Sequence, residues 1–238
     1  MATFVLVHGM GGGGWCWKRV SDRLRARGHE VFTPTLTGLG ERSHLLSRDI
    51  DLDTHVIDVA NVLKWERLTD VILVGHSYGG MPVTGAADRE RERVATLIYL
   101  DAFMPENGQS VMDLQPPHRR DIYHEMAAEK GDGWRLVPLP SEFWKLTDPD
   151  DIAWNDALKT DHPLATLEQP IRLDNGPHPR RAYIWASGFQ PSPFVPLAEK
   201  ARNDPAWIYD EIDGGHLLMM SHPDEVTEKL VQIGVEAA

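Results

Sequence analysis

The feature that most constrains this chain is an alternation along its length. Short apolar runs, rich in β-branched residues, are separated by longer stretches with helical spacing. The runs cover residues 4–7, 30–32, 71–74, 94–100, 182–186 and 207–212. Continuous apolar character is what a strand buried on both faces requires, and helical stretches between such strands supply the cover. The pattern therefore predicts an α/β protein with a mostly parallel central sheet and helices on both faces. Residues 17–27 place Val20 and Leu24 at helical spacing, and residues 54–68 place Val56, Val59, Ala60, Leu63 and Leu68 likewise. Residues 81–91 and 223–235 also read as helices, the latter with Asp224 and Glu225 at the positive end of its dipole.

One stretch breaks the alternation. Residues 105–179 are rich in proline, histidine and tryptophan, including Trp134, Trp144 and Trp154, and show no clear strand. The segment is too long for a simple connection, so an inserted helical cap is expected. The chain divides accordingly into a core of residues 1–104 and 180–238 and a cap of residues 105–179.

A length of 238 residues suffices for one large domain. The formal charge of −12 argues against nucleic acid or an anionic membrane as a partner. No apolar run approaches the roughly 20 residues that span a bilayer. Cys16 is the only cysteine, which excludes an internal disulfide and favours a reducing compartment. Met1 leads directly into Thr3-Phe4-Val5-Leu6-Val7 with no basic region or cleavage site, so the expectation is a cytoplasmic protein.

The chemistry centres on Gly75-His76-Ser77-Tyr78-Gly79. This G-x-S-x-G segment follows an apolar strand and precedes a small-residue helix, the context of a nucleophile elbow. A sharp turn there presents the serine hydroxyl at a helix N-terminus, where developing negative charge is stabilised. A nucleophilic serine needs a base, and His216 in Asp213-Gly214-Gly215-His216 follows the last strand, where glycines let the loop reach back. The third member is harder to place. After the penultimate strand comes Ser187-Gly188-Phe189-Gln190-Pro191-Ser192, with no carboxylate before Glu199. The alternative is Asp101, which ends the strand expected to lie beside the nucleophile strand, and it is the expected acid. Asp210 and Asp213 are too near His216 in sequence to sit behind its ring. The oxyanion hole is expected from the backbone N–H groups of Met10 and Tyr78.

Gly9-Met10-Gly11-Gly12-Gly13-Gly14 also satisfies a dinucleotide-binding fingerprint. That reading requires an acidic residue ending the second strand, where this chain has Thr33-Pro34-Thr35. No metal-ligand spacing is present either. Neither cofactor nor metal is therefore expected.

Over most of its length outside residues 105–179, the sequence resembles the plant methylesterase and hydroxynitrile lyase group of α/β-hydrolases and their bacterial esterase relatives. The resemblance is carried by Phe4-Val5-Leu6-Val7-His8-Gly9, Gly14-Trp15-Cys16-Trp17, Gly28-His29-Glu30-Val31, Leu73 through Met81, and Ala102-Phe103-Met104-Pro105. It implies the α/β-hydrolase fold, Ser77 and His216 as nucleophile and base, and the Met10 and Tyr78 amides as oxyanion hole. Two departures refine it. The lyases of this group carry a threonine after the loop histidine and a lysine after the catalytic histidine, where this chain has Gly9 and Leu217. The plant esterases carry their acid after the penultimate strand; haloalkane dehalogenases are similar to this chain in placing it where Asp101 stands, though their nucleophile is an aspartate. The expected activity is hydrolysis of a small, largely apolar carboxylic ester through an acyl-serine. Lactone or amide hydrolysis would use the same groups, because acyl-enzyme chemistry does not choose the leaving group. A ligand-binding receptor that has kept the fold without turnover is the reading from a different class.

Overall fold

The computed structural model describes residues 1–236. The chain opens with β1 (Thr3–Val7), α1 (Lys18–Ala26), β2 (Glu30–Phe32), α2 (Leu52–Trp65), β3 (Val71–His76), α3 (Gly80–Arg89) and β4 (Val94–Leu100). A long connection follows, holding α4 (His118–Lys130), β5 (Arg135–Leu136), α5 (Pro149–Leu158), β6 (His162–Pro163) and α6 (Ala165–Glu168). The chain then returns through β7 (Arg181–Ala186), α7 (Val195–Asn203), β8 (Trp207–Ile212), α8 (Leu218–Ser221) and α9 (Pro223–Val231).

The apolar runs at 4–7, 30–32, 71–74, 94–100, 182–186 and 207–212 become the six strands of one sheet, in the order β2-β1-β3-β4-β7-β8. Every pairing in it is parallel. All residues of β3 are buried, as a strand covered on both faces must be. Helix α2 starts at Asp51, whose carboxylate accepts the Thr54 N–H at 2.9 Å, and buries Leu52, Val56, Val59 and Leu63 against the core. Helix α7 lies where the sequence signalled no helix: Pro196 falls in its first turn, where the missing N–H is not needed, and Leu197, Ala198 and Ala201 face inward. Between β4 and β7, β5 and β6 form a two-residue antiparallel ladder, a strand element too short to leave a periodic signature.

The sheet order fixes where loops converge. The chain moves outward from β1 to β2, then crosses back to place β3 on the other side of β1. Loops leaving the carboxyl ends of β1 and β3 therefore part at a topological switch point, the crevice where ligands bind in open α/β sheets. On the far side of β3, His76 pairs with Leu100, so the next residues, Ser77 and Asp101, leave their strands side by side.

Helix α3 is held hard against the segment after β4. A Cβ on Gly80 would stand 2.0 Å from the Phe103 carbonyl oxygen and 3.0 Å from its carbon, both backbone atoms that cannot rotate away. Gly80→Ala is expected to cost about 3 kcal/mol, measured as a drop in the urea midpoint. An unchanged midpoint would show that α3 can retreat without loss.

Candidate active site

Ser77 follows directly on β3 with a φ of 55°, a left-handed conformation that a non-glycine residue adopts only when its surroundings hold it there. Its carbonyl accepts the Phe103 N–H at 3.0 Å, which ties the turn to the chain leaving β4. The loop after β1 passes so close that a Cβ on Gly9 would meet the Ser77 Cβ at 2.8 Å. The Gly9 position, where the resemblance would have placed a threonine, thus leaves no room for a side chain. Asp101 is likewise left-handed, with a φ of 43°.

The three side chains expected from the sequence to act together form one buried relay. Ser77 Oγ lies 2.9 Å from His216 Nε2, and His216 Nδ1 lies 2.5 Å from Asp101 Oδ2. Asp101 Oδ1 faces the Ala186 N–H at 3.4 Å. Because Nδ1 meets a carboxylate, that nitrogen carries the proton, and Nε2 is left to accept from the serine hydroxyl. Asp101 and His216 are almost wholly inaccessible, and Ser77 is 8% exposed, so of the three only Ser77 meets solvent. Burial pushes the imidazole of His216 well below its ordinary value and the carboxyl of Asp101 upward. The imidazole is therefore neutral at neutral pH, the state a general base needs.

Aromatic rings wall this histidine off from water. Phe194 stacks on it at 5.1 Å and 14°, Phe189 at 5.0 Å and 28°, and Trp144 packs at 5.1 Å. The backbone of His216 is pinned at both ends. Its N–H donates to the Trp144 carbonyl at 2.9 Å, and its carbonyl accepts from His76 Nε2 at 2.9 Å. Among the described residues, the backbone N–H groups of Met10 and Tyr78 have no hydrogen-bond partner, which leaves both free for a ligand oxygen.

A second layer of buried histidines holds the loop bearing Met10. His162 Nδ1 accepts the Gly11 N–H at 3.3 Å, so its Nε2 carries the proton and donates to Thr166 Oγ at 2.8 Å. Thr160 N–H donates to the Gly11 carbonyl at 2.8 Å. On the other side, His55 Nε2 donates to the Thr37 carbonyl at 2.9 Å, and its Nδ1 accepts the Tyr78 hydroxyl at 2.8 Å. His8 Nδ1 donates to Gly9 O at 2.8 Å while its Nε2 accepts the Leu36 N–H at 3.1 Å. Every one of these rings is neutral by its partners, and burial lowers each affinity for a proton, His8 to about 4. In the sequence Trp144 is one of three tryptophans, and His162 one of several histidines, within residues 105–179. No spacing rule links a residue there to Gly11 or His216; the tie exists only in three dimensions.

The cavity at Ser77 is small, about 60 Å³. The loop after β1, residues between β4 and β7 and the segment after β8 share its lining, among them Trp15, Leu136, Leu139, Trp144 and Leu217. Where a lyase would carry its lysine, half-buried Leu217 presents an aliphatic wall. Among the described residues no three histidine, cysteine or acidic side chains converge as metal ligands, and no helix is long and apolar enough to cross a membrane.

Comparison with known proteins follows the geometry. The family model described as "Alpha/beta hydrolase family" matches residues 4–229. The carbendazim hydrolyzing esterase of Nocardioides sp. (strain SG-4G) is 41% identical over 98% of this chain and 100% of its own length. Putative methylesterase 15, chloroplastic, of Arabidopsis thaliana is 27% identical over 97% of this chain, which spans 56% of that protein. Among solved structures, an extracellular alpha/beta-hydrolase from a Paenibacillus species superposes with a TM-score of 0.87 at 22% identity, covering 99% of this chain and 100% of that one. That last likeness is one of fold.

Proposed function

The chain belongs to the alpha/beta hydrolase family, and from that membership we propose that Ser77, His216 and Asp101 hydrolyse a small, largely apolar carboxylic ester. That it is a serine ester hydrolase accords with full-length similarity to a named esterase. The observation that carries the residue assignment is the unbroken relay from Ser77 Oγ through both nitrogens of His216 to Asp101.

In this reading His216 Nε2 takes the Ser77 proton as Oγ attacks the ester carbonyl. The tetrahedral oxygen is held by the Met10 and Tyr78 amides. His216 then delivers the proton to the departing alcohol, and water repeats the cycle on the acyl-serine. Asp101 keeps the Nδ1 proton in place and offsets the imidazolium charge. Residues 105–179 act as a cap that closes the pocket, with residues 1–104 and 180–238 as the catalytic core. The confined apolar cavity supports small, apolar acyl or alcohol groups. Carbendazim, the compound for which the Nocardioides relative is named, belongs on the substrate panel beside alkyl and aryl esters. A cytoplasmic setting is proposed with this activity, supported by the lone unpaired Cys16; fractionation of host cells tests it.

An organophosphate is expected to add a single adduct to the intact protein, with peptide mapping placing it on Ser77 and ester turnover lost in proportion. An adduct on any other residue, with Ser77 unmodified, would overturn the nucleophile.

A further inference from the structure

A second cavity, of about 470 Å³, shares no lining residue with the pocket at Ser77. It arises from the topology. The β4–β7 connection spends its helices elsewhere, α6 against α2 and α4 against β5, so the sheet face between α3 and α7 is closed only by loops near residues 104–107 and 173–178. The floor is one row of register partners: Leu97 opposite Arg181, and Arg181 opposite Trp207.

Arg181 is the group this floor leaves unanswered. Its guanidinium lies 4.4 Å over the Trp207 ring, its Nε is buried without a hydrogen-bond partner, and among the described residues no carboxylate pairs with it. The carboxylates around the cavity are committed elsewhere. Asp88 accepts the Asp174 and Asn175 amides at 2.8 and 2.9 Å, Glu106 pairs with Lys200 at 2.5 Å, and Asp204 accepts the Ala206 N–H at 2.9 Å. Of the other two Lys and Arg side chains on the wall, Lys200 is the one held by Glu106, and Arg91 is spent on the carbonyls of Gly176 and Pro177. Beside Arg181, the buried Tyr99 ring stands 5.6 Å from Trp207, and its hydroxyl is engaged with Thr84 at 2.7 Å, so it offers an apolar face rather than a polar contact.

We propose that this cavity is a second ligand site, taking a small monocarboxylate with a single apolar ring. The carboxylate would dock on the free fork of Arg181 and the ring against Leu97, Tyr99 and Trp207. A guanidinium matches a planar carboxylate two-to-two, cation–π contact already holds it in place, and the volume falls in the range of small-ligand pockets.

The probe is phenylacetate titrated into the ¹⁵N-labelled full chain, with the indole N–H resonances of Trp207 and Trp144 followed. A saturable shift of Trp207 with a Kd of about 1 mM or tighter is expected, while Trp144, beside Ser77, stays in place. Arg181→Gln is expected to weaken binding about tenfold or more with ester turnover unchanged, and uncharged 2-phenylethanol to bind the native protein about tenfold more weakly than the acid. The proposal fails if only Trp144 responds, if neither indole does, or if the alcohol binds as well as the acid. It fails equally if Arg181→Gln, folded by its turnover, binds like the native chain. Should that variant not fold, the acid–alcohol comparison on the native protein decides.

Discussion

Exchanging Ser77 for alanine is expected to lower kcat about a million-fold, and Asp101 for asparagine about ten-thousand-fold, with the double change no worse than the serine change alone. The asparagine figure follows from the tautomer. Asp101 accepts from His216 Nδ1 at 2.5 Å in a site closed to water. An asparagine amide turned toward that nitrogen would donate instead, moving the ring proton to Nε2, where it faces Ser77 Oγ and can no longer accept from it. The fold should survive, because the change is isosteric; near-UV circular dichroism of the variant checks this. Steady-state hydrolysis of an activated aryl ester gives the rates. Retention of near-native kcat by Asp101→Asn, with loss in Glu199→Gln or Asp210→Asn, would move the acid elsewhere. The geometry disfavours both: Glu199 is exposed on α7, and Asp210 is paired with Lys229 at 2.6 Å.

The second large effect is on stability. Besides His216, four histidines, His8, His55, His76 and His162, are exposed by 2% or less, and burial holds the proton affinity of each below the ordinary value. In the unfolded chain they titrate near 6.5, so below that pH the unfolded state binds more protons than the native one. Stability is therefore fully present above pH 6.5 and lost as pH falls toward the depressed native values, such as about 4 for His8. Each proton contributes about 1.4 kcal/mol per pH unit, and four together up to about 5. Asp101 opposes this with one proton, since burial raises its native affinity, and His216, lowered by the same burial, offsets it. Against a typical total of about 5–15 kcal/mol, the urea midpoint should collapse between pH 6.5 and 4. Equal midpoints at pH 7.5 and pH 5 would contradict the neutral histidine layer.

Much of the sheet was readable because β3 and its neighbours are buried on both faces, so their whole composition is apolar and short. The position of Asp101 beside Ser77 was legible as that of the one aspartate following the strand next to β3, once the stretch after β7 offered no carboxylate. The register of His76 with Leu100 supplies the physical reason. Helix α7 was hidden behind the prolines of residues 191–196, which mark a turn in sequence yet in the fold include a permitted first-turn position at Pro196. The segment between β4 and β7 resisted most. Of the residues in α4 only Ala127 is buried, so there was little periodic signal to find. The pocket contacts of Leu136, Trp144 and His162 depend on how that segment drapes over the core, a long-range property with no local spacing.

The hydrogen bond from His216 N–H to the Trp144 carbonyl makes the doorway and the machinery one object. A substrate bulky enough to lift the backbone at Trp144 would also release the histidine proposed to activate Ser77. Under that proposal size selection is expected to show in kcat as well as KM: oversized esters would not merely be kept out, they would disarm the site they enter.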